Sequence, residues 1–409
     1  MILTCENTYW NSINKGYKKY PSLTSNQKCD VVVIGGGISG CLTAYYLSQY
    51  NINTILIEKN LIAHGNTAAN PCILQYDSGT ELYKLIDLIG EEKAVRAYKL
   101  YQKSIDDIEN ILYNIKQYCE FKRMDSIYLC SNPDSENNIK KEFELRKKFD
   151  FTIEYLSQNQ IEDKFSIAYP YGIYSKNYDC ILDPFKFCHV LLKAAALKNT
   201  KIYENTSVLN YDYYSNSIKV NTSNDFHINC KKIVFANGYT AYNLIKDNSL
   251  IKLKTACSIA TTPLTNYNYS SWYNSCLVRE SKFPYFYIRP SADNRIIAGD
   301  FDYNLNNIND STISMENQAF SILEKLKTIL PYISDLKIDY FWSRTWCETK
   351  DSLPYIGEHP DFPKCYFNPG SDRNEICSSL LGAQIIKDLI LYNSSPDADM
   401  FSFNRKSGE

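Results

Sequence analysis

Glycine is scarce in this chain, 15 among 409 residues, about half its usual share of roughly 7%, so any cluster of glycines carries information. Histidine is scarcer still: His64, His189, His227 and His359 are the only four, far apart in sequence. The fourteen cysteines contain no Cys-x-x-Cys pair. Neither a metal centre nor a redox dithiol is therefore expected. No apolar run approaches the ~20 residues that span a bilayer, and no membrane span is expected. Charge of one sign is not in surplus either. With 44 Lys and Arg against 46 Asp and Glu the formal net charge is −2, which argues against nucleic acid as a partner, because phosphate neutralisation needs clustered cations. The opening MILTCENTYWNSINKGYKKY has no apolar signal core, so the thiols are expected to be buried small hydrophobes in a reducing cytoplasm.

What is present is ordinary folded-protein material, 44% hydrophobic and 22% charged, in a chain longer than one core usually serves. Two domains are expected. The run DVVVIGGGISG at 30–40 is a short β-branched strand entering a glycine cluster. CLTAYYLSQY then reads as a helix and TILIE at 54–58 as a second strand, a β-α-β unit. From Glu81 to about Cys119 the apolar spacing is helical, with Ile105, Ile108, Ile111, Leu112 and Ile115 on one face. KKEFELRKKFD, after a polar break at 131–138, reads as a solvated helix face. Strand-like runs at 201–209, 213–221 and 231–238 return the chain to a sheet. The segment 251–300 is strand-rich, and its pleat puts Tyr285, Tyr287 and Arg289 on one face. Helices are expected at 315–330, ended by Pro331, and at 376–391.

Gly35, Gly37 and Gly40 complete a G-x-G-x-x-G pattern between that first strand and its helix, with Ile38 and Ser39 opening the helix. Gly35 permits the tight turn, Gly37 lets backbone approach a diphosphate, and Gly40 lets helix and strand pack closely. The helix N-terminus adds unpaired N–H groups and a positive dipole end. Glu58, followed by Lys59, closes the second strand 18 residues past Gly40, where a carboxylate accepts from a ribose hydroxyl. A dinucleotide is expected; this unit alone does not separate FAD from a nicotinamide.

The chain resembles the FAD-dependent oxidoreductases of the D-amino-acid oxidase (DAO) family, within it the glycine oxidase and sarcosine oxidase-like group. The matching segments are dispersed and in order: VVVIGGGISG, HGNTAANPCILQY at 64–76, ILDPFKF at 181–187, KIVFANGY at 232–239, PYFYIRPSADNRIIAGD at 284–300 and ETKDSLPYIGEHP at 348–360. The resemblance implies an α/β fold with a discontinuous Rossmann-like FAD-binding domain (27–80, 160–248 and 342–395). An α+β substrate domain with an antiparallel sheet (81–159 and 249–341) accompanies it, and 1–26 and 396–409 are terminal extensions. It implies non-covalent FAD, since the spacing of Cys347 to Asp351 does not match the covalent cysteine of the group. It gives Asn66, Thr67 and Ala68 a place at the diphosphate and flavin, Val208 one at the adenine, and Asn237-Gly238 one near the diphosphate. Gly357 belongs to the last strand beside the isoalloxazine, and Gly370, Arg373, Asn374 and Ile376 belong to the loop and helix start facing its pyrimidine edge.

That last segment, Pro369-Gly370-Ser371-Asp372-Arg373-Asn374-Glu375-Ile376, also departs from the family, because Glu375 stands where glycine is usual. A carboxylate facing the reduced ring opposes its charge; one turned to solvent merely favours the helix start. The resemblance also implies that Arg373 anchors a substrate carboxylate, with a surface salt bridge to Asp372 or Glu375 as the alternative. Trp346, Tyr285 and Tyr287 are the other substrate-pocket residues expected, as an aromatic wall. The expected activity is oxidation of a C–N bond in a small amine or amino acid by hydride transfer to flavin N5. No motif specifies the electron acceptor. Two alternatives stand beside this activity: a flavin-fold protein that has lost turnover and acts as a binding or regulatory partner, and a nicotinamide-dependent dehydrogenase.

Overall fold

The computed structural model describes residues 8–405 except 246, 248, 265–271, 282–284, 305–314 and 371; side chains at 133 and 301–304 are also outside it. Val31–Ile34 (β1) is β-branched throughout, with Val31, Val32 and Val33 buried and Ile34 partly buried, the pattern of a parallel strand covered on both faces. Ile38–Gln49 (α1) follows, buried nearly all round because it lies between the sheet and two further helices. Thr54–Ile57 (β2) completes the β-α-β unit as expected. The six-stranded sheet runs in the order Gly357–His359, Phe362–Phe367, Lys232–Phe235, β1, β2, Lys201–Tyr203. Every pairing in it is parallel except that of the first two strands. Ile34, Ile57, Phe235 and Phe367 share one register at the carboxyl ends of the strands, the side on which open α/β sheets bind ligands.

The second sheet has nine strands and contains Tyr285–Pro290 (β3) and Ile338–Thr349 (β4). It is antiparallel apart from one pairing, Leu277–Glu280 on Lys122–Cys130. Ile73–Leu74, Tyr171–Ile181 and the 342–349 part of β4 belong to this sheet, although the expected boundaries put those residues with the cofactor domain. Alternation of side chains identifies a strand without identifying the sheet it joins. A third sheet of four strands packs its apolar face, Ile218, Val220, Ile228 and Cys230, against Val32, Ile55 and Ile233 of the first.

Two helices cover the other face of the six-stranded sheet next to α1. Pro184–Ala196 (α2) begins at Asp183, whose carboxylate accepts from the N–H groups of Phe185 and Lys186, both at 2.9 Å, with Pro184 in the first turn where its missing N–H costs nothing. Glu375–Tyr392 (α3) packs along α1. The helical stretch after Glu81 is two helices, Leu82–Ile89 and Glu91–Asn114, separated at Gly90, which has φ 86°.

The segment expected to be a solvated helix face, within Glu136–Lys148, does expose Lys140, Lys141, Glu144, Lys147 and Lys148, but its inner face carries two charged residues as well. Glu142 and Arg146 are both buried and joined at 2.5 Å. Glu142 also accepts from the N–H groups of Leu82 and Tyr83, so it satisfies a helix N-terminus that lacks a side-chain cap of its own.

Candidate functional site

The turn after β1 is built as the spacing predicts. Gly35 has φ 114°, and a Cβ on Gly40 would stand 1.8 Å from the Gly35 carbonyl oxygen, so any larger residue would push α1 off the strand. Gly37 is half-exposed, and a Cβ there would meet Thr67 Oγ1 at 3.0 Å. Glu58 accepts from the N–H groups of Gly36 at 2.7 Å and Asn60 at 2.8 Å, which fixes its carboxylate beside the turn. Lys59 is exposed. The Thr206 N–H donates to the Glu58 carbonyl, and this places Val208, at the start of Val208–Tyr213, near the carboxyl end of β2.

Thr67 and Asn66 lie in the 3-10 turn Asn66–Ala69. Thr67 Oγ1 accepts from the Ile38 N–H at 3.0 Å, so it caps α1 from outside and keeps its own proton for donation. Asn66 Oδ1 accepts from the Thr345 N–H at 3.1 Å, which ties the turn to β4. Ala68 is buried. Three residues that sequence reasoning did not single out for this role pin the segment. Trp342 Nε1 donates to the Ala69 carbonyl, Trp10 Nε1 to the Asn70 carbonyl, and Arg289 to the carbonyls of Pro71, Cys72 and Leu182. Their partners are backbone groups, which no side-chain pattern reveals.

The N-termini of α1 and α3 meet. Ser39 and Ser379 hydroxyls are 2.6 Å apart, and a Cβ on Gly370, which has φ 50°, would lie 2.0 Å from one and 2.1 Å from the other. Asn374 stands at the N-cap position of α3 but does not cap it: its Nδ2 donates to the carbonyls of Gln75 and Asp77. Ile376 is buried in the core. Gly357, at φ 115°, opens the edge strand Gly357–His359 beside Leu389, far along α3 from Glu375. Gly238 has φ 68° with open space where a side chain would be, and Asn237 Nδ2 donates to Thr240.

The substrate-pocket residues converge in part. The Arg373 guanidinium lies over the Tyr285 ring at 4.3 Å and the Trp346 ring at 5.0 Å. Its Nη1 donates to the Gly79 carbonyl at 2.9 Å, and Glu348 stands 3.6 Å from Nη2. Among the described residues it pairs with neither Asp372 nor Glu375. Tyr287 does not join this cluster. Its hydroxyl is buried against Ser258 at 2.6 Å, and burial pushes its pKa up. Glu375 is buried rather than turned to solvent, with Oε2 3.2 Å from Arg344 and 2.9 Å from Asn70 Nδ2. Burial raises it to about 7 against the pull of Arg344. Asp372, held by Ser378 and Tyr101, is raised to about 6 by the same cause.

A family of FAD-dependent oxidoreductases, DAO, matches residues 30–389. The chain belongs to that family. Glycine oxidase of Bacillus subtilis is 26% identical over 388 residues, covering 88% of this chain and 93% of the relative. The fold of glycine oxidase from Geobacillus kaustophilus superposes with a TM-score of 0.77 at 17% identity, covering 94% of this chain and all of that one. L-proline dehydrogenase from P. horikoshii gives 0.75 at 19% identity, covering 92% and 97%. These matches make the protein an oxidoreductase that uses FAD; the non-catalytic alternative finds no support among them.

The residues present fit that cofactor. The turn places the half-exposed Gly37 backbone and the Thr67 hydroxyl together at the start of α1. Beside the turn, the buried Asn237 Oδ1 has no hydrogen-bond partner among the described residues, an acceptor available to a ligand hydroxyl. Among the described residues no helix is long and apolar enough to cross a membrane, and no group of three or more His, Cys, Asp or Glu is placed to hold a metal.

Proposed function

We propose that this oxidoreductase acts on the C–N bond of a small amino acid, with an amine lacking a carboxylate as the weaker substrate class. The observation that carries the reading is Arg373, a half-buried guanidinium oriented by two aromatic faces and the Gly79 carbonyl. A planar cation fixed in this way offers its remaining N–H groups to a carboxylate as a pair, which sets position as well as affinity. Tyr285 and Trp346 flank it and exclude water from one side of the bound molecule. The names of relatives that act on glycine and L-proline agree with this substrate class.

FAD, when bound, supplies the electron sink for the pair of electrons leaving the substrate C–H bond. The protein's own work is positioning and field. The α1 N-terminus and Thr67 hold the diphosphate, Glu58 the ribose, and Asn237 a hydroxyl beside the turn. Glu348, 36% exposed and next to Arg373, would meet the substrate ammonium group. Non-covalent attachment of FAD belongs to this proposal as well, as does the division into two domains, with 73–74, 171–181 and 342–349 counted with the substrate domain.

The test is anaerobic mixing of the holoprotein with glycine, sarcosine, proline and simple amines while flavin absorbance is followed. Bleaching by the amino acids, with Arg373→Ala losing the preference for carboxylate-bearing substrates, is expected. Bleaching by no amino acid, or an unchanged preference in the variant, would overturn the reading.

A further inference from the structure

The buried ion pair at the start of α3 has no part in the reaction proposed above. Arg344 and Glu375 are 1% and 4% exposed, and the amides of Asn66 and Asn70 also donate to the same carboxylate oxygen, Oε2, at 3.4 and 2.9 Å. The pair lies close to the turn proposed to hold the cofactor. Asn66 is the neighbour of Thr67, which meets the α1 turn at Ile38, and Gly370 brings the N-termini of α1 and α3 together. A dinucleotide held with its diphosphate on α1 and its second half along 66–70 would pass the first residue of α3.

We propose that Glu375 takes up a proton when bound FAD is reduced, so that two-electron reduction of this protein consumes one proton more than the hydride brings. In the amino-acid reaction the substrate C–H bond breaks and its hydrogen leaves with the electron pair to the cofactor. The ammonium nitrogen forms the C=N double bond and releases one proton to solvent, and a proton from solvent forms the O–H bond on Glu375. Charge balances: the cofactor gains one negative charge and the carboxylate loses one.

The physical reason is the field at a buried site. The groups facing Glu375 are Arg344 from β4, Asn66 and Asn70 from the 3-10 turn, Asp372 from the loop before α3, and the thiol of Cys188 from α2. Tyr101 and Ser378 hold Asp372, and Tyr287 stands in the field of Arg344. One cation thus already faces two carboxyl groups. A further negative charge on the cofactor, at low dielectric, favours the neutral form of the weaker acid. Burial has already brought Glu375 to about 7, so the added charge moves it through the neutral range. The proposal rests on FAD being the cofactor and not on the identity of the substrate.

The midpoint potential of the bound flavin, measured against reference dyes with dithionite as reductant, tests it. Uptake of two protons with two electrons changes the equilibrium hundredfold per pH unit, or ~59 mV, against tenfold and ~30 mV for one proton. The wild type is expected to follow the steeper slope above pH 7. Glu375→Gln, which keeps the shape and cannot ionise, is expected to follow the shallower one, and Asp372→Asn the steeper.

Should Glu375→Gln fail to fold, the reduced-minus-oxidised infrared difference spectrum of the wild type gives the answer. A protonated-carboxyl band that shifts with carbon-13 glutamate supports the proposal. The shallow slope in the wild type, equal slopes in wild type and Glu375→Gln, loss of the extra proton in Asp372→Asn alone, or no glutamate band would overturn it. Flavin that binds but shows one-proton behaviour fails this proposal alone, whereas a chain that binds no flavin fails the cofactor assignment as well.

Discussion

Gly370→Ala perturbs the place where the two helix N-termini meet, and the structure allows its cost to be worked out. A side chain at φ 50° costs about 1–2 kcal/mol in a left-handed conformation. Its Cβ would stand 2.0 and 2.1 Å from the hydroxyls of Ser39 and Ser379, and such overpacking adds roughly 1–3 kcal/mol. Separating the two hydroxyls, now 2.6 Å apart, removes a buried hydrogen bond of about 1 kcal/mol. The expected loss is ~3–6 kcal/mol, together with weaker FAD binding because both N-termini move. A triple variant that also carries Ser39→Ala and Ser379→Ala gives the new methyl room and leaves only the conformational and hydrogen-bond parts. It is expected to recover about 1–3 kcal/mol relative to the single variant. Urea unfolding of the apoprotein and FAD titration of all three proteins measure this. A single variant as stable as wild type, or a triple variant no better than the single, would refute the reasoning that close approach is what requires glycine here.

Arg373→Ala is expected to weaken binding of amino-acid substrates by roughly 10- to 100-fold, the effect of losing a charge-assisted pair worth ~1.5–3 kcal/mol, with little change for an uncharged amine; substrate titration of flavin reduction checks it. Glu142→Ala leaves Arg146 buried without its partner and uncaps the Leu82–Ile89 helix, so urea denaturation should show a loss of about 3–5 kcal/mol. Glu58→Ala is expected to reduce affinity for FAD about tenfold and leave affinity for FMN unchanged, because the carboxylate serves the adenosine half. Glu375 and Asp372 have folded pKa values raised by burial to about 7 and about 6. The folded state therefore holds protons that the unfolded chain has released above pH ~4, and stability of the apoprotein falls as pH rises from there through the folded values. Glu375→Gln should flatten that fall, read from urea midpoints at pH 5 and 7.5.

The cofactor half of the site was legible because its requirements are backbone requirements. Gly35, Gly37 and Gly40 are spaced by the turn and the helix contact, and Glu58 by the length of one β-α-β unit. Thr67 was found through resemblance, and the structure shows it capping α1 at Ile38. The substrate side was less legible, since pleating puts Tyr285 and Tyr287 on one face but does not say how far along the strand the pocket extends. Tyr285 reaches Arg373, whereas Tyr287 stops at Ser258. The buried groups were the least legible. Glu142 and Arg146 sit in a run so charged that solvent exposure is the ordinary expectation, and their burial is explained by the uncapped N–H groups of Leu82 and Tyr83 for the one and the hydroxyls of Tyr76 and Tyr98 for the other. Glu375 stood out in sequence as a departure, but its partners, Arg344, Asn66 and Asn70, come from distant segments that only the fold brings together.

The central claim is that an FAD diphosphate rests on the turn where β1 meets α1. Titration of apoprotein with FAD, compared between wild type and Gly37→Glu, tests it most directly. Saturable binding at one FAD per chain is expected for the wild type. For the variant, whose carboxylate would enter the diphosphate position, a weakening of at least roughly a hundredfold, ~2.7 kcal/mol, is expected. Equal affinity in the two proteins would contradict the account.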